Sequence, residues 1–129
     1  EKQGMISASY FWVGSEAAIQ GIQPTYWKRY KHNFPFEARL DTVIAWLQLP
    51  EDIRPHLILW YMHEPDAVGH DYGPDGEVTR STVIYLDSLV GVFMNKLEKL
   101  PVSDYVNFIV TSDHGMGALS DDRVVILED

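Results

Sequence analysis

Two short stretches of the sequence carry aspartate and histidine at spacings that could bind a metal ion. Asp66 and His70 lie four residues apart in EPDAVGHDYGP (64–74), and Asp113 and His114 are adjacent in TSDHGM (111–116). Aspartate oxygen and histidine nitrogen are good ligands for zinc, with manganese or iron as alternatives. Either stretch alone is more often solvated surface, so a metal site requires a fold that brings the two together.

The segments around these two pairs predict elements that would place them side by side. Residues 57–62 are a short continuous apolar run, typical of a strand buried on both faces, and residues 105–111 are a second such run. Between them, residues 75–100 predict a long helix. Its apolar stripe would be Val83, Leu86, Val90, Phe93, Leu97 and Leu100. A strand, a helix and a strand in this order predict two parallel strands with a right-handed crossover.

This topology predicts a metal site at one edge of the sheet. Ligands of open α/β sheets bind beyond the carboxyl ends of the strands. The first predicted strand leads into the 64–74 stretch and the second leads into the 111–116 stretch. We expect the first pair to converge through a loop turn at Gly69. Gly115 and Gly117 supply the backbone freedom that adjacent ligands of the second pair need.

The remaining sequence completes an α/β pattern. Residues 5–12 predict a strand, and residues 14–30 predict a loop that turns helical at Thr25. Residues 34–50 predict a helix that ends at Pro50. Its apolar face would be Leu40, Val43, Ile44 and Leu47. Residues 124–127 predict one more strand. His32, His56 and His63 have no carboxylate at a useful spacing and are interpreted as surface or packing residues.

Length and composition bound the function. With 129 residues the chain is one domain at most, and its net charge of −9 would repel nucleic acid while tolerating bound cations. It has no cysteine, which excludes disulfides and thiolate ligands. No apolar run approaches the roughly 20 residues of a membrane helix. The chain opens without an initiator Met or a signal peptide, and we expect it to be a piece of a longer protein.

Four stretches together resemble one enzyme family. YFWVGSE, FPFEARLDTVIAWLQLP, EPDAVGHDYGP and TSDHGM, in this order, are similar to the nucleotide pyrophosphatase/phosphodiesterase family of the alkaline phosphatase superfamily. The resemblance runs through almost the whole chain. It implies that residues 1–129 are the central part of an alkaline-phosphatase-like catalytic domain, with a mainly parallel central sheet, flanking helices and two zinc ions. It also implies a periplasmic or extracellular location.

The resemblance assigns roles to the metal-binding residues. It implies that Asp66 and His70 bind one zinc and that Asp113 and His114 bind the other. The family's threonine nucleophile, a further ligand aspartate before it and a third histidine for the first zinc would lie in other segments of the parent domain. Thr25 and Thr111 do not match the nucleophile's motif. The expected reaction is hydrolysis of a phosphodiester or pyrophosphate through a phospho-threonine intermediate, and the isolated chain should be inactive.

A nucleotide is the substrate that the resemblance implies. Tyr30 would lie against the base and Trp12 would line the same slot, although both could be core aromatics, and Tyr61 is similarly ambiguous. The chain departs from the family at His63, where a second acidic residue is frequent, and at Val13, where proline is frequent. Neither departure touches a predicted ligand.

Two other classes of function remain open from the sequence. One is another hydrolase of the same superfamily, namely a sulfatase, phosphomutase or phosphomonoesterase. The other is a non-enzymatic metal-binding or interaction module. The nucleophile would discriminate them, because a threonine supports diesterase chemistry and a formylglycine-forming cysteine supports a sulfatase.

Overall fold

The computed structural model describes residues 3–123 and 125. The strands are β1 (Ser7–Tyr10), β2 (Tyr26–Lys28) and β3 (Leu57–Trp60). The helices are α1 (Phe36–Leu47), α2 (Asp66–Tyr72) and α3 (Glu77–Leu97), followed by single 3-10 turns at Ser103–Tyr105 and Asp121–Arg123. Strands and helices alternate from β1 to α3, which is the expected α/β pattern.

The three strands form one parallel sheet in the order β2-β1-β3. β1 lies in the centre, with Ala8 opposite Tyr26 on one side and opposite Ile58 on the other. Its residues Ala8, Ser9 and Tyr10 are almost completely buried, as expected for a central strand. The hydrogen-bond ladder continues past β3, because the Tyr61 backbone amide donates to the Tyr10 carbonyl at 3.0 Å. The expected parallel sheet with flanking helices is therefore present.

Helices α1 and α3 pack together on one face of this sheet. The predicted apolar face of α1 is confirmed, since Leu40, Val43, Ile44 and Leu47 are all buried. They form the core with Ala8, Tyr10, Phe11, Trp46, Phe93, Leu97 and Leu100. The same sheet face meets α3 where the Trp60 and Phe93 rings lie 5.4 Å apart.

The predicted apolar stripe of α3 is only partly correct. Phe93 and Leu97 are buried, and so is Leu100 just beyond the helix, whereas Val83 is 47% exposed. Leu89 is buried in its place. The physical reason is that only the carboxyl-terminal half of α3 packs on the sheet and α1. Its first turns pack on α2, where the buried Thr79 hydroxyl donates to the Gly73 carbonyl at 2.7 Å.

Two predicted elements are wrong. Residues 106–111 follow the 3-10 turn as irregular chain, without the predicted strand, and Ile109 and Val110 are 81% and 69% exposed. A strand needs a neighbour for its backbone groups, and no described strand lies beside this segment. Thr25 begins no helix, because Tyr26–Lys28 pairs with β1 instead. The strand predicted at 124–127 lies outside the described residues except for Val125.

Candidate functional site

The first predicted ligand pair lies on a helix rather than in the expected loop. β3 ends at Trp60 and α2 begins at Asp66, so Asp66 and His70 occupy positions i and i+4 of a single short helix. Such positions lie one turn apart on the same face. His70 Nε2 is accordingly 3.5 Å from Asp66 Oδ1. The helix, and not a turn at Gly69, brings the two side chains together.

The second pair reaches the same place from the irregular segment that follows residue 111. His114 Nε2 lies 4.0 Å from Asp66 Oδ1 and 3.8 Å from Asp113 Oδ2. Carboxylates and imidazoles separated by more than 40 residues in the sequence therefore meet around one aspartate oxygen. The structure brings all four predicted ligands, Asp66, His70, Asp113 and His114, into one cluster, which we call the Asp/His cluster.

A close contact between the two motifs explains how they meet. Gly69 is buried in the middle of α2, and the Met116 side chain lies directly over it. A Cβ added at Gly69 would be 2.5 Å from Met116 Sδ, so only glycine leaves room for this approach. The amino end of α2 is held by Glu64, whose Oε2 accepts from the Val68 amide at 3.2 Å. The sequence offers the glycine and the methionine, but not their contact.

The His114 ring is oriented by its own backbone. Its Nδ1 lies 2.9 Å from the Gly115 carbonyl oxygen, to which it can only donate, so in the neutral imidazole Nε2 carries the lone pair. Metal-binding histidines commonly donate their other ring nitrogen to a carbonyl in this way. The same hydrogen bond, followed by the Asp113 carboxylate, raises the pKa of His114 above its ordinary value.

The donor set fits divalent metals in chemistry and falls short in number. Two donors of one tetrahedral zinc are about 3.4 Å apart, close to the 3.5 Å between Asp66 and His70. Within residues 3–123 and 125, however, no three carboxylates or imidazoles are arranged to hold one ion together. All four side chains are at least half exposed, from 50% for Asp66 to 84% for Asp113. Two donors per ion are fewer than the three of a usual catalytic zinc.

The two residues expected to contact a base lie on the surface near β1. Trp12 is 43% exposed and Tyr30 is 39% exposed, so neither is a core aromatic. Tyr30 is nevertheless fixed, because its backbone amide donates to Glu16 Oε1 at 2.8 Å and its hydroxyl lies 2.9 Å from His32 Nδ1. Its ring meets the buried Phe11 ring edge to face at 5.4 Å.

Phe11 has an unusual backbone conformation. Its φ of 63° lies in the left-handed region, which costs a residue other than glycine about 1–2 kcal/mol. The turn ends β1 and leaves the Phe11 ring buried beneath Tyr30 while the next residue, Trp12, is exposed. Such strain is frequent at binding sites.

Tyr61 connects this aromatic surface with the Asp/His cluster. It directly follows β3 and is half-buried. Burial, then the neighbouring Tyr30, and then the carboxylates of Asp113 and Asp66 raise the pKa of Tyr61 above its ordinary value. The sequence left its role ambiguous, and the structure gives it neighbours in both parts of the site.

Comparison with known proteins identifies the family. The model of the family described as type I phosphodiesterase / nucleotide pyrophosphatase matches residues 1–129. The chain belongs to this family. The human ectonucleotide pyrophosphatase/phosphodiesterase family member 1 is 43% identical over 114 residues, which are 88% of the chain and 12% of that relative. Venom phosphodiesterase 2 of Crotalus adamanteus is 42% identical over 123 residues, 95% of the chain and 15% of the relative.

Solved structures of this phosphodiesterase family have the same fold. An inactive form of murine ectonucleotide pyrophosphatase/phosphodiesterase 5, in complex with AMP, matches with a TM-score of 0.85 at 35% identity. The match covers 96% of the chain and 33% of that protein. The human protein of the same name matches with a TM-score of 0.68 at 30% identity, over 76% and 26% of the two chains. The expected alkaline-phosphatase-like fold is thereby confirmed.

Two features of the described surface complete the site. A groove of about 520 Å³ runs along α3 past Val78 and Tyr85 and includes none of the four predicted ligands. The Asp/His cluster is thus an open surface and not the wall of a closed cavity. Among the described residues, no helix has both the length and the apolar character needed to cross a bilayer. The chain spans less than a sixth of the length of the curated relatives described above.

Proposed function

We propose that the protein containing this chain hydrolyses phosphodiester or pyrophosphate bonds of nucleotides with two divalent metal ions, zinc being the best candidate. The observation that carries the proposal is the meeting of His70 and His114, from two separate motifs, at Asp66 Oδ1. The names of the relatives support the reaction class, since they are phosphodiesterases and nucleotide pyrophosphatases.

The four ligands divide into two pairs by distance. Asp66 and His70 would hold one ion, and Asp113 and His114 would hold the other, because the donors of each pair lie within 3.8 Å. When bound, two such ions supply positive charge that stabilises a phosphoryl group and its attacking and leaving oxygens. The chain's own contribution is to orient these donors, through α2, through Met116 on Gly69 and through the Gly115 carbonyl.

The nucleophile of the reaction would come from another segment of the protein. Thr111 is exposed and its hydroxyl donates to the Ser112 carbonyl at 3.2 Å. Thr25 immediately precedes β2, at the opposite end of the strands from the Asp/His cluster. Neither is suited to attack a phosphoryl group there. The proposed phospho-threonine intermediate therefore forms outside this chain, and the isolated 129-residue chain should hydrolyse nothing.

The aromatic surface would bind the nucleotide base. Tyr30 and Trp12 are partly exposed aromatic rings near the Asp/His cluster through Tyr61. Planar bases stack on such rings. A structural neighbour in complex with AMP supports a nucleotide as the ligand class. The relatives include venom and ecto-enzymes, which supports a periplasmic or extracellular location for this protein as well.

The decisive experiment compares ester classes with the full-length protein. The p-nitrophenyl ester of thymidine 5′-monophosphate should be hydrolysed far faster than p-nitrophenyl phosphate or p-nitrophenyl sulfate. A chelator should abolish this activity and added zinc should restore it. Preference for the phosphate monoester or the sulfate would favour the other superfamily hydrolases. No hydrolysis of any of the three would favour a non-enzymatic module.

A further inference from the structure

Arg39 is a buried cation without an acidic partner in the described structure. Its side chain is completely buried in α1, and its guanidinium lies between the Phe11 and Phe36 rings, 4.8 and 4.4 Å from their centres. Among the described residues no carboxylate lies within ion-pair distance of it. A charge in such a place is costly unless other groups satisfy it.

Neutral acceptors from two segments satisfy the guanidinium. Nε and Nη2 both donate to the Phe34 carbonyl, at 3.1 and 2.8 Å, and Nη2 also donates to the His32 carbonyl at 3.1 Å. Nη1 reaches the Tyr61 carbonyl and His63 Nδ1, each at 3.5 Å. These five contacts equal the number of N–H donors of arginine. The planar fork thereby joins the segment before α1 to the segment after β3.

The contact with Arg39 also fixes His63. A guanidinium only donates, so His63 Nδ1 must accept, and the ring must be neutral with its proton on Nε2. The His63 ring lies 4.2 Å from the His32 ring and 5.1 Å from the Phe36 ring. His32 Nδ1 in turn holds the Tyr30 hydroxyl at 2.9 Å. A continuous chain of contacts runs from Arg39 to Tyr30.

The charges around His63 favour its neutral form. Burial, then His32 and then Arg39 lower the pKa of His63 below its ordinary value, while Glu64 acts in the opposite direction. Tyr30 also faces His63, with ring centres 6.4 Å apart. A protonated His63 would lose its hydrogen bond and face the guanidinium directly.

We propose that Arg39 is a positioning residue for nucleotide substrates. By joining residues 32–34 to residues 61–63, and by holding His63 against His32, it keeps Tyr30 and Tyr61 in the geometry that receives the base. Arg39 is buried and touches no substrate, so it acts only through these side chains. The proposal rests on the proposed function, and it adds a specificity role to a residue that carries no metal.

A double-mutant cycle in the full-length protein tests this role. Arg39→Lys keeps the charge but cannot form the fork. It should raise KM for the thymidine ester by up to the about 5- to 150-fold expected from losing Tyr30 stacking, with kcat nearly unchanged. The effect should vanish when Tyr30 is already alanine. KM for methyl p-nitrophenyl phosphate, which has no base, should be unaffected.

Two further variants keep the test interpretable. Arg54→Lys is the matched control, because Arg54 Nε donates to the Leu49 carbonyl at 2.9 Å away from Tyr30 and His63, and it should leave both KM values unchanged. If Arg39→Lys fails to fold, His63→Phe keeps the ring contacts and removes only the acceptor, and it should raise KM for the thymidine ester alone.

The outcomes separate this proposal from the proposed function. If wild-type protein hydrolyses the thymidine ester but the Arg39 and Tyr30 effects simply add, or both substrates suffer equally, Arg39 only stabilises the fold and the proposal is wrong. If wild-type protein hydrolyses no nucleotide ester, the proposed function fails and the role of Arg39 fails with it.

Discussion

The Asp/His cluster and the surroundings of Arg39 differ in how completely the chain builds them. Around Arg39, five hydrogen bonds and two aromatic rings enclose a fully buried side chain. In the Asp/His cluster, four exposed side chains approach one another at 3.5–4.0 Å without a group of three that could hold an ion. The chain therefore constructs the substrate side of the site itself and leaves the metal side to be completed.

This difference has a physical origin. A buried cation must be satisfied by its immediate neighbours, so its surroundings have to be in place as soon as α1 packs on β1. Exposed carboxylates and imidazoles are already satisfied by water, so nothing forces them into a metal-binding geometry without the ion. The Asp/His cluster is expected to tighten with metal, and the surroundings of Arg39 are not.

Removal of the Tyr30 ring should give the largest effect on the substrate side. Base–aromatic stacking is worth roughly 1–3 kcal/mol, so Tyr30→Ala should raise KM for the thymidine ester by about 5- to 150-fold. Because stacking is shared by the ground and transition states, kcat should change little. Tyr30→Phe keeps the ring and should retain a low KM. Equal losses with methyl p-nitrophenyl phosphate would show that Tyr30 supports the fold instead.

The close approach of the two motifs can be tested at Gly69. Gly69→Ala would place a methyl group against Met116, which must then move and carry the second ligand pair with it. We expect zinc affinity to fall by about 10-fold, the lower end for residues that orient ligands. Affinity measured by chelator competition should recover in Gly69→Ala/Met116→Ala. An unchanged affinity in Gly69→Ala would mean that the flexible methionine simply moves aside.

The smallest effect is expected where α3 supports Phe36 beneath Arg39. The Tyr85 hydroxyl donates to Glu37 Oε1 at 2.6 Å, which raises the pKa of Tyr85 to about 12 and lowers that of Glu37. Tyr85→Phe should reduce the free energy of unfolding by about 0.5–1 kcal/mol at pH 7, because both groups are largely exposed. Thermal unfolding measures this difference.

The pH dependence of that difference has a definite sign. A carboxylate whose pKa is lowered by folding stabilises above its ordinary value of 4.5, and a phenol whose pKa is raised stabilises below its ordinary value of 10.0. The effect of Tyr85→Phe should therefore be full between these values. It should disappear as the pH falls well below 4.5 and again as it rises through about 12. Tyr105→Phe, at an 84% exposed tyrosine, should show neither transition.

The sequence predicted those parts of the fold that a single element determines. The apolar face of α1 follows from helical spacing, and the run at 57–60 has only strand-like properties. It did not predict β2, because three residues of the polar stretch at 26–28 become a strand only beside β1. Residues 106–111 show the reverse, since an apolar run without a neighbour forms no strand.

The candidate site divides in the same way. The Asp/His cluster could be proposed from residue types alone, because few side chains bind metal and two pairs occur at strand ends. The role of Arg39 could not, since an arginine in an amphipathic helix usually faces solvent. One signal was available: Arg39 lies four residues before Val43 and thus on the buried face. Its partners at 61 and 63 depend on tertiary structure.

The zinc content of ligand variants tests the central claim most directly. In the full-length protein, Asp66→Asn and His114→Ala should each retain clearly less zinc than wild type, because the remaining donors cannot rebuild the coordination. Asp75→Asn and His56→Ala are matched controls outside the Asp/His cluster and should retain the wild-type amount. Elemental analysis of the purified proteins gives the result. Equal zinc content in all four variants would contradict the assignment of the Asp/His cluster as the metal site.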